Sequence, residues 1–286
     1  MTSVHDILYV ESADLEAPHD KLQALDLYLP ITLNSSSPPP LVVYIHGGAW
    51  RSGDKSEYEN LGKRLAKAGR FAVAVINYRL SLQEFNDRGH PVVHPDHIND
   101  CSAAIKYLVS ASTRYGFRSD AIYLVGHSAG GQLGGLLVFD ESFLKEVRHS
   151  IKGVVGVEGI YDIPRLLETW PNYIGFIKQG FGDDAAVYQK ASPQYASPHR
   201  PDGRIRLPSY LIVHSPEDEL VDMEQSNRYF EHVREAGAGP VVELDISMKG
   251  THFDMLQTEP FSTRIVKFVY DVEKATCIDG DWIWWI

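Results

Sequence analysis

Short apolar runs alternate with amphipathic stretches along most of the chain. LVVYIHG (41–47), FAVAVINY (71–78), AIYLVGH (121–127), KGVVGVEG (152–159), SYLIVHS (209–215) and VVELDIS (241–247) are near-continuous and rich in β-branched residues, and they read as strands. Unbroken apolar runs of this kind belong to sheets covered on both faces. The stretches between them repeat their apolar character every three or four residues. Asp54 with Glu57 makes a capping-box pattern ahead of the stripe Tyr58, Leu61, Leu65 and Ala68, which Gly69 ends. A second helix is expected from near Pro95, with Ile98, Cys101, Ile105 and Leu108 inward. A third starts at Asp222, with Met223, Ser226, Phe230 and Val233 on one side and Gly237 at its end. A fourth starts by Pro260, with Phe261, Ile265, Phe268 and Val272 inward. Strands alternating with helices imply a mostly parallel sheet with helices on both faces. ILYV (7–10) and ALDLYL (24–29) are expected as a hairpin at its edge.

Two stretches break the alternation. Residues 80–94 and 160–205 are rich in proline, glycine and aromatics, follow strands, and read as irregular. Ligands of open parallel sheets bind beyond the carboxyl ends of the strands. The two inserts are therefore expected to form a lid on a single domain spanning 1–286, with SSSPPP (35–40) as an inter-strand loop.

Composition narrows the function by exclusion. The 286 residues are 44% hydrophobic and carry a net charge of -11, with no basic cluster, so nucleic acid is not an expected partner. No run of eighteen apolar residues spans a membrane, and MTSVHDILYVESADLE has early acidic residues and no apolar run, unlike a secretory signal. Two cysteines, Cys101 and Cys277, cannot build a disulfide framework, and Cys101 falls on an apolar helix face as a small buried hydrophobe. A reducing compartment, the cytosol, is expected. No cofactor or metal is expected either: the histidines are scattered, and no metal-ligand spacing or phosphate-binding glycine loop occurs.

The sharpest chemical signal is GHSAG, Gly126 to Gly130, directly after the strand AIYLV. G-x-S-x-G at a strand-to-helix turn lifts a serine above the sheet, and the turn leaves no room for side chains two residues either side. Ser128 is thus the candidate nucleophile. A serine hydroxyl needs a base and a group to orient that base, in the chain order serine, acid, histidine. Of the later histidines, His149 precedes a strand, His199 lies in the expected lid, His214 is inside a strand and His232 is mid-helix. His252, in the loop after the last strand, is the candidate base. Asp218 follows the strand SYLIVHS and is the candidate acid, with Glu217, Glu219 and Asp222 as rivals on spacing; Asp222 is better explained as a helix N-cap. HGGAW, His46 to Trp50, ends the strand LVVYI and suits an oxyanion loop. Its donors are expected from Gly47, Gly48 and Ala49, joined by Ala129, with His46 bracing the loop.

HGGAW with GHSAG and a late aspartate and histidine resembles the hormone-sensitive-lipase-like branch of α/β hydrolases, as does NYRLS (77–81) followed by a helix carrying Asp100. Within that branch the chain is similar to the kynurenine formamidases, whose oxyanion motif is H-G-G-x-W; VEGIYDIPRLLETWPNY (157–173) and LIVHSPEDELVDMEQSN (211–227) carry the likeness further. The resemblance covers most of the chain from about residue 40 onward. It implies a serine hydrolase with Ser128, Asp218 and His252 as triad, acting on the small molecule N-formylkynurenine to give kynurenine and formate. Two features depart from the pattern. The acid's usual H-G-x-x-D reads His214-Ser215-Pro216-Glu217-Asp218, and the tail CIDGDWIWWI (277–286) has no counterpart. The triad argument itself gives acyl transfer to water and leaves open a small-acyl carboxylesterase or, with its catalysis lost, a ligand receptor. A tight acyl end beside Trp50 and an aromatic leaving-group end formed by Tyr161, Trp170, Tyr173 and Phe176 are expected of a formylated aromatic amine, although each ring suits the core as well, and Phe176 suits it better. The Trp-rich tail is expected to pack on its own domain or across the interface of a homodimer.

Overall fold

The computed structural model describes residues 1–10, 20–31, 38–82, 91–197 and 207–276. Cys277, His199 and the Trp-rich tail lie outside them, as do 83–90 and 198–206 of the two inserts.

The apolar runs become strands of one sheet: β1 (Thr2–Leu8), β2 (Ala24–Leu29), β3 (Leu41–Ile45), β4 (Ala72–Ile76), β5 (Ile122–His127), β6 (Ile151–Val157), β7 (Ser209–Val213) and β8 (Val242–Asp245). Their order across the sheet is β1-β2-β4-β3-β5-β6-β7-β8. β1 pairs antiparallel with β2, and β2 antiparallel with β4; the expected edge hairpin is there, but its first strand lies at Thr2–Leu8, earlier than the expected 7–10, and the strands from β4 through β3 to β8 pair in parallel. Successive residues of a strand point to opposite faces, and both faces are covered. On β3, Leu41, Val43 and Ile45 enter one core while Val42 and Tyr44 enter the other; on β5, Ile122 and Leu124 separate from Tyr123 and Val125 in the same way.

Nine helices occur among the described residues: α1 (Glu59–Gly69), α2 (Asp96–Tyr115), α3 (Ala129–Phe139), α4 (Glu141–Leu144), α5 (Ile163–Thr169), α6 (Ile174–Phe181), α7 (Ala185–Lys190), α8 (Met223–Glu235) and α9 (Glu259–Thr276). α9 buries the expected Phe261, Ile265, Phe268 and Val272 with α1 against one face of the sheet. Each such side chain contributes about 1.5–3 kcal/mol on leaving water. α2 and α3 cover the other face, and Cys101 is fully buried there. No helix among the described residues is long and apolar enough to cross a membrane.

Three local expectations are corrected. The inward stripe of α8 runs through Ser226, Tyr229 and Val233, with Phe230 only partly buried, because Tyr229 stacks on Tyr161 at 4.0 Å between ring centroids. In α1 Ala68 is exposed, not inward, because the buried stripe runs through Leu61, Leu65 and Gly69; the helix ends at Gly69 as expected, with Arg70 in the left-handed conformation at φ 51°. The insert after β6 is not irregular, for it holds α5, α6 and α7. Asp162 and Asp184 cap two of them, accepting from Arg165 N and Ala186 N at 3.0 and 2.9 Å. Helices this short complete too few turns for a 3.6-residue period to show.

Candidate active site

The carboxyl ends of β3, β5, β6, β7 and β8 lie side by side, and the expected site residues leave from those ends. Ser128 follows β5 directly with φ 55° and ψ -118°, a backbone state costly for a non-glycine residue and held only where surroundings over-determine it. The glycines flanking it are sterically required. A Cβ on Gly126 would sit 2.1 Å from Gly130 O, and one on Gly130 would sit 2.1 Å from Ile45 O. The loop after β3 closes on this turn, since a Cβ on Gly47 would lie 2.9 Å from the Ser128 Cβ.

That loop is itself strained, with Gly48, Ala49 and Trp50 at successive φ values of 99°, 51° and 58°. Arg51 N and Ser52 N donate to Gly48 O at 3.1 and 3.0 Å, locking the turn. His46 braces it as expected. The imidazole stacks on Tyr78 at 4.5 Å, its Nδ1 donates to Gly47 O at 2.8 Å, and the Tyr78 hydroxyl donates to His46 O at 3.0 Å. Burial holds His46 below the usual histidine range, so it is neutral at pH 7. Across the loop, Ala129 opens α3, where a first-turn N–H has no intrahelical acceptor.

The structure brings His252 and Asp218 together. His252 Nδ1 lies 2.9 Å from Asp218 Oδ2, and an ionised carboxylate can only accept, so Nδ1 carries the proton. The other Asp218 oxygen accepts from Leu220 N and Val221 N at 2.8 and 3.0 Å. Burial alone would raise this carboxyl, but the His252 contact and the two N–H groups outweigh it and hold it below the carboxylate range. The rival acids grip the histidine loop by its backbone instead: Glu217 accepts from Gly250 N at 3.0 Å and Glu219 from His252 N at 3.2 Å. Asp222 caps α8 through Glu224 N at 3.1 Å. His214 lies beside Asp218 at 3.5 Å but is tied to Ser226 and Val221, and His232 donates to Ala196 O at 2.9 Å.

Two further residues belong to this cluster and were not singled out from the sequence. His127, the variable residue of GHSAG, donates from Nε2 to His252 O at 2.9 Å, with the two rings 4.5 Å apart. Burial and the neighbouring His252 keep it far below the usual histidine range, hence neutral. Glu158, fully buried after β6, has φ 47°. Its Oε1 accepts from Ser215 N at 3.2 Å, while Oε2 stands 3.6 Å from His252 Nδ1 and 3.7 Å from His127 Nε2. Burial, and then the charge of Asp218, pushes its carboxyl up to about 9. His127, Glu158 and His252 offer ligating atoms within 4.8 Å of one another. His252 Nδ1 is already committed to Asp218 and His127 Nε2 to His252 O, while Glu158 Oε2 has no hydrogen-bond partner.

The expected substrate-facing rings separate. Tyr161 is corrected to a core residue: no part of it is reachable by water, and it stacks on Tyr229. Trp50 is also fully buried, against the expectation that it faces an acyl group. Its Nε1 donates to Gln132 Oε1 on α3 at 2.9 Å and its ring meets Phe181 edge-on at 4.7 Å, so it anchors the loop from behind. Trp170, Tyr173 and Phe176 remain partly exposed and form a chain of rings, 5.7 and 4.9 Å between successive centroids. This chain reaches from Arg51, 5.3 Å over Phe176, to Leu220 O, which the Tyr173 hydroxyl meets at 3.2 Å.

Comparison with known proteins places the chain among hydrolases of this fold. A kynurenine formamidase of Meyerozyma guilliermondii is 31% identical over 214 residues, covering 72% of this chain and 74% of that protein. The kynurenine formamidase avaC of Aspergillus versicolor is 31% identical over 251 residues, covering 78% and 86%. Among solved structures, a truncated carbohydrate esterase from gut microbiota superposes with a TM-score of 0.75 at 22% identity, covering 96% of this chain and 97% of that one, and so shares its fold. The model of the BD-FAE family matches residues 25–233, and with these relatives it shows that the chain belongs to that family of hydrolases on the α/β-hydrolase fold.

Proposed function

We propose that the protein is a serine hydrolase that cleaves the formamide of N-formylkynurenine to kynurenine and formate, with no cofactor. The observation that carries the reaction class is the His252–Asp218 hydrogen bond at 2.9 Å, formed beside a strained Ser128 turn. The Ser128 hydroxyl attacks the formyl carbon as His252 Nε2 takes its proton, and Asp218 holds the tautomer and steadies the imidazolium. The oxyanion is met by N–H groups of Ala129 and the Gly47–Gly48–Ala49 loop, each worth about 3–4 kcal/mol in such sites. The C–N bond breaks as His252 returns the proton to the departing aromatic amine. Water, deprotonated by His252, then attacks the formyl-serine ester, and formate leaves as Ser128 recovers its proton.

Choice of a formamide over an ester rests on the two fungal relatives named kynurenine formamidase and on the rings of Trp170, Tyr173 and Phe176 between the end of α5 and the first turn of α6. We read α5, α6 and α7 as a lid, with Trp170, Tyr173 and Phe176 stacking on the aromatic leaving group. The test compares kcat/KM on N-formylkynurenine with that on aryl acetate, butyrate and hexanoate esters. The formamide is expected to be fastest, and ester rates to fall as the acyl chain lengthens. An enzyme fastest on butyrate and idle on N-formylkynurenine is a small-acyl carboxylesterase and removes the formamidase assignment.

A further inference from the structure

Three neighbouring strands each contribute one side chain to the buried cluster, from the residue or loop that follows them: β6 Glu158, β7 Asp218 and β8 His252, with the Ser128 turn after β5 alongside. Two of these are carboxyl groups, and both face the same nitrogen. Asp218 Oδ2 is 2.9 Å from His252 Nδ1 and Glu158 Oε2 is 3.6 Å from it. Asp218 is saturated by three donors. Glu158 Oε2 is buried and has no hydrogen-bond partner. An unpaired buried oxygen of this kind costs about 1–3 kcal/mol, and the left-handed backbone of Glu158 adds about as much again. Neither cost is answered by packing, for an apolar side chain of similar volume would avoid the first. The backbone nonetheless holds the residue firmly: Glu158 N donates to Val213 O at 2.9 Å, tying the end of β6 to β7 just ahead of the Asp218 loop.

We propose that Glu158 is a positioning residue for His252, a second carboxyl on the adjacent strand that takes over the imidazole when Asp218 is neutralised. The inference rests on the reading of Ser128, His252 and Asp218 as the triad. With Asp218 charged, two carboxylates cannot share one nitrogen at this separation, so Glu158 stays protonated and neutral. Burial first, then the charges of Asp218 and Glu219 from the loop after β7, hold the proton on Glu158, against the Ser215 N–H; the other titratable groups facing it are His127 from β5, Tyr44 from β3, Tyr161 from the segment after β6 and His252 from the loop after β8. Removal of the Asp218 charge removes one of these influences. The ionised Glu158 then has only to move a few tenths of an ångström to accept from Nδ1.

The experiment uses p-nitrophenyl acetate, so that it does not depend on the formamide assignment, with rates expressed per folded molecule from near-ultraviolet circular dichroism. Loss of the acid alone in a serine triad lowers kcat about 10⁴-fold. Asp218→Asn is expected to lose only about a hundredfold, and its activity is expected to climb with pH as Glu158 ionises. Adding Glu158→Gln is expected to cost a further factor of about a hundred, back to the full loss, and to remove the climb. Glu158→Asp in the Asp218→Asn background keeps a carboxylate and is expected to keep the climb, which a purely structural role for Glu158 would not produce. The inference is overturned if Asp218→Asn/Glu158→Gln matches Asp218→Asn in both rate and pH profile. It is overturned too if Asp218→Asn alone already shows the full 10⁴-fold loss. Hydrolysis in the parent that does not depend on Ser128 would bring down the triad reading itself, and this inference with it.

Discussion

Two buried carboxylate clusters in this molecule are finished in opposite ways. Asp100, on α2, receives four hydrogen bonds: Arg79 N and Nε reach Oδ2 at 2.9 and 2.8 Å, and Arg79 Nη2 and Gln23 Nε2 reach Oδ1 at 2.8 and 2.9 Å. Charge and lone pairs are answered there, and the cluster joins the loop after β4 to α2 and to the residue preceding β2. Glu158, equally buried, receives a single hydrogen bond and faces a histidine already claimed by another carboxylate. A fully satisfied buried network stiffens a fold, whereas a partly satisfied one stores unfavourable energy that only a function explains. Asp100 and Glu158 are equally deep, and what separates these two is how fully each carboxylate is hydrogen-bonded.

That contrast can be broken by substitution. The largest effect is expected from Ser128→Ala, which should lower kcat about a million-fold and abolish covalent labelling by an organophosphonate. Its melting temperature should hold, since the substitution removes a single hydroxyl from a turn whose shape is set by glycines. Labelling that persists would move the nucleophile elsewhere. Asp100→Ala should behave in the reverse sense. It strands the Arg79 guanidinium and should cost about 3–5 kcal/mol in denaturant unfolding, while kcat per folded molecule is retained. A mild loss of stability would mean that this ion pair contributes far less than its geometry suggests.

A further effect is the most diagnostic and concerns pH. In the unfolded chain Glu158 titrates near 4.5, and in the folded protein near 9. Between those values the native state holds a proton that the unfolded state has released, so stability falls as pH rises, by at most about 1.4 kcal/mol per pH unit. Asp218 works the other way: its carboxyl is held low, so the stability it contributes is present at neutral pH and is lost as pH falls through its folded value. Glu158→Gln should therefore flatten the decline in unfolding free energy between pH 6 and 9 and leave the acid limb unchanged. Parallel stability curves for parent and variant would show that Glu158 carries no extra proton in the native state.

Much of this site was legible because local rules produce it. A β-branched run followed by G-x-S-x-G can only make a tight turn, and the contact of a Gly126 Cβ with Gly130 O at 2.1 Å is the steric form of that rule. Asp222 read as a cap and is one, because an N-cap bond spans two residues. Choosing Asp218 from its neighbours by loop position anticipated the 2.9 Å contact with His252, but what occupies Glu217 and Glu219 emerged only when their contacts to Gly250 N and His252 N were seen. The helices of residues 163–190 are short enough that period and composition contradict each other, and the composition suggested a loop.

What the sequence by itself determined is the alternation of strands and helices, the parallel sheet, the turn at Ser128 and the loop at Gly47–Trp50, since each depends on residues within a few positions of one another. The tertiary structure alone decided which side chains share a space. Trp50 and Tyr161, both aromatic and both next to the expected site, were indistinguishable in sequence from Trp170. Folding buried the first two completely, against Gln132 and Phe181 and against Tyr229, and left Trp170 partly exposed. Glu158 and His252 are separated by most of two βα units, and no pattern along the chain links them. Their 3.6 Å approach follows from strand order, because a parallel sheet sets the ends of β6, β7 and β8 side by side whatever length of chain runs between them.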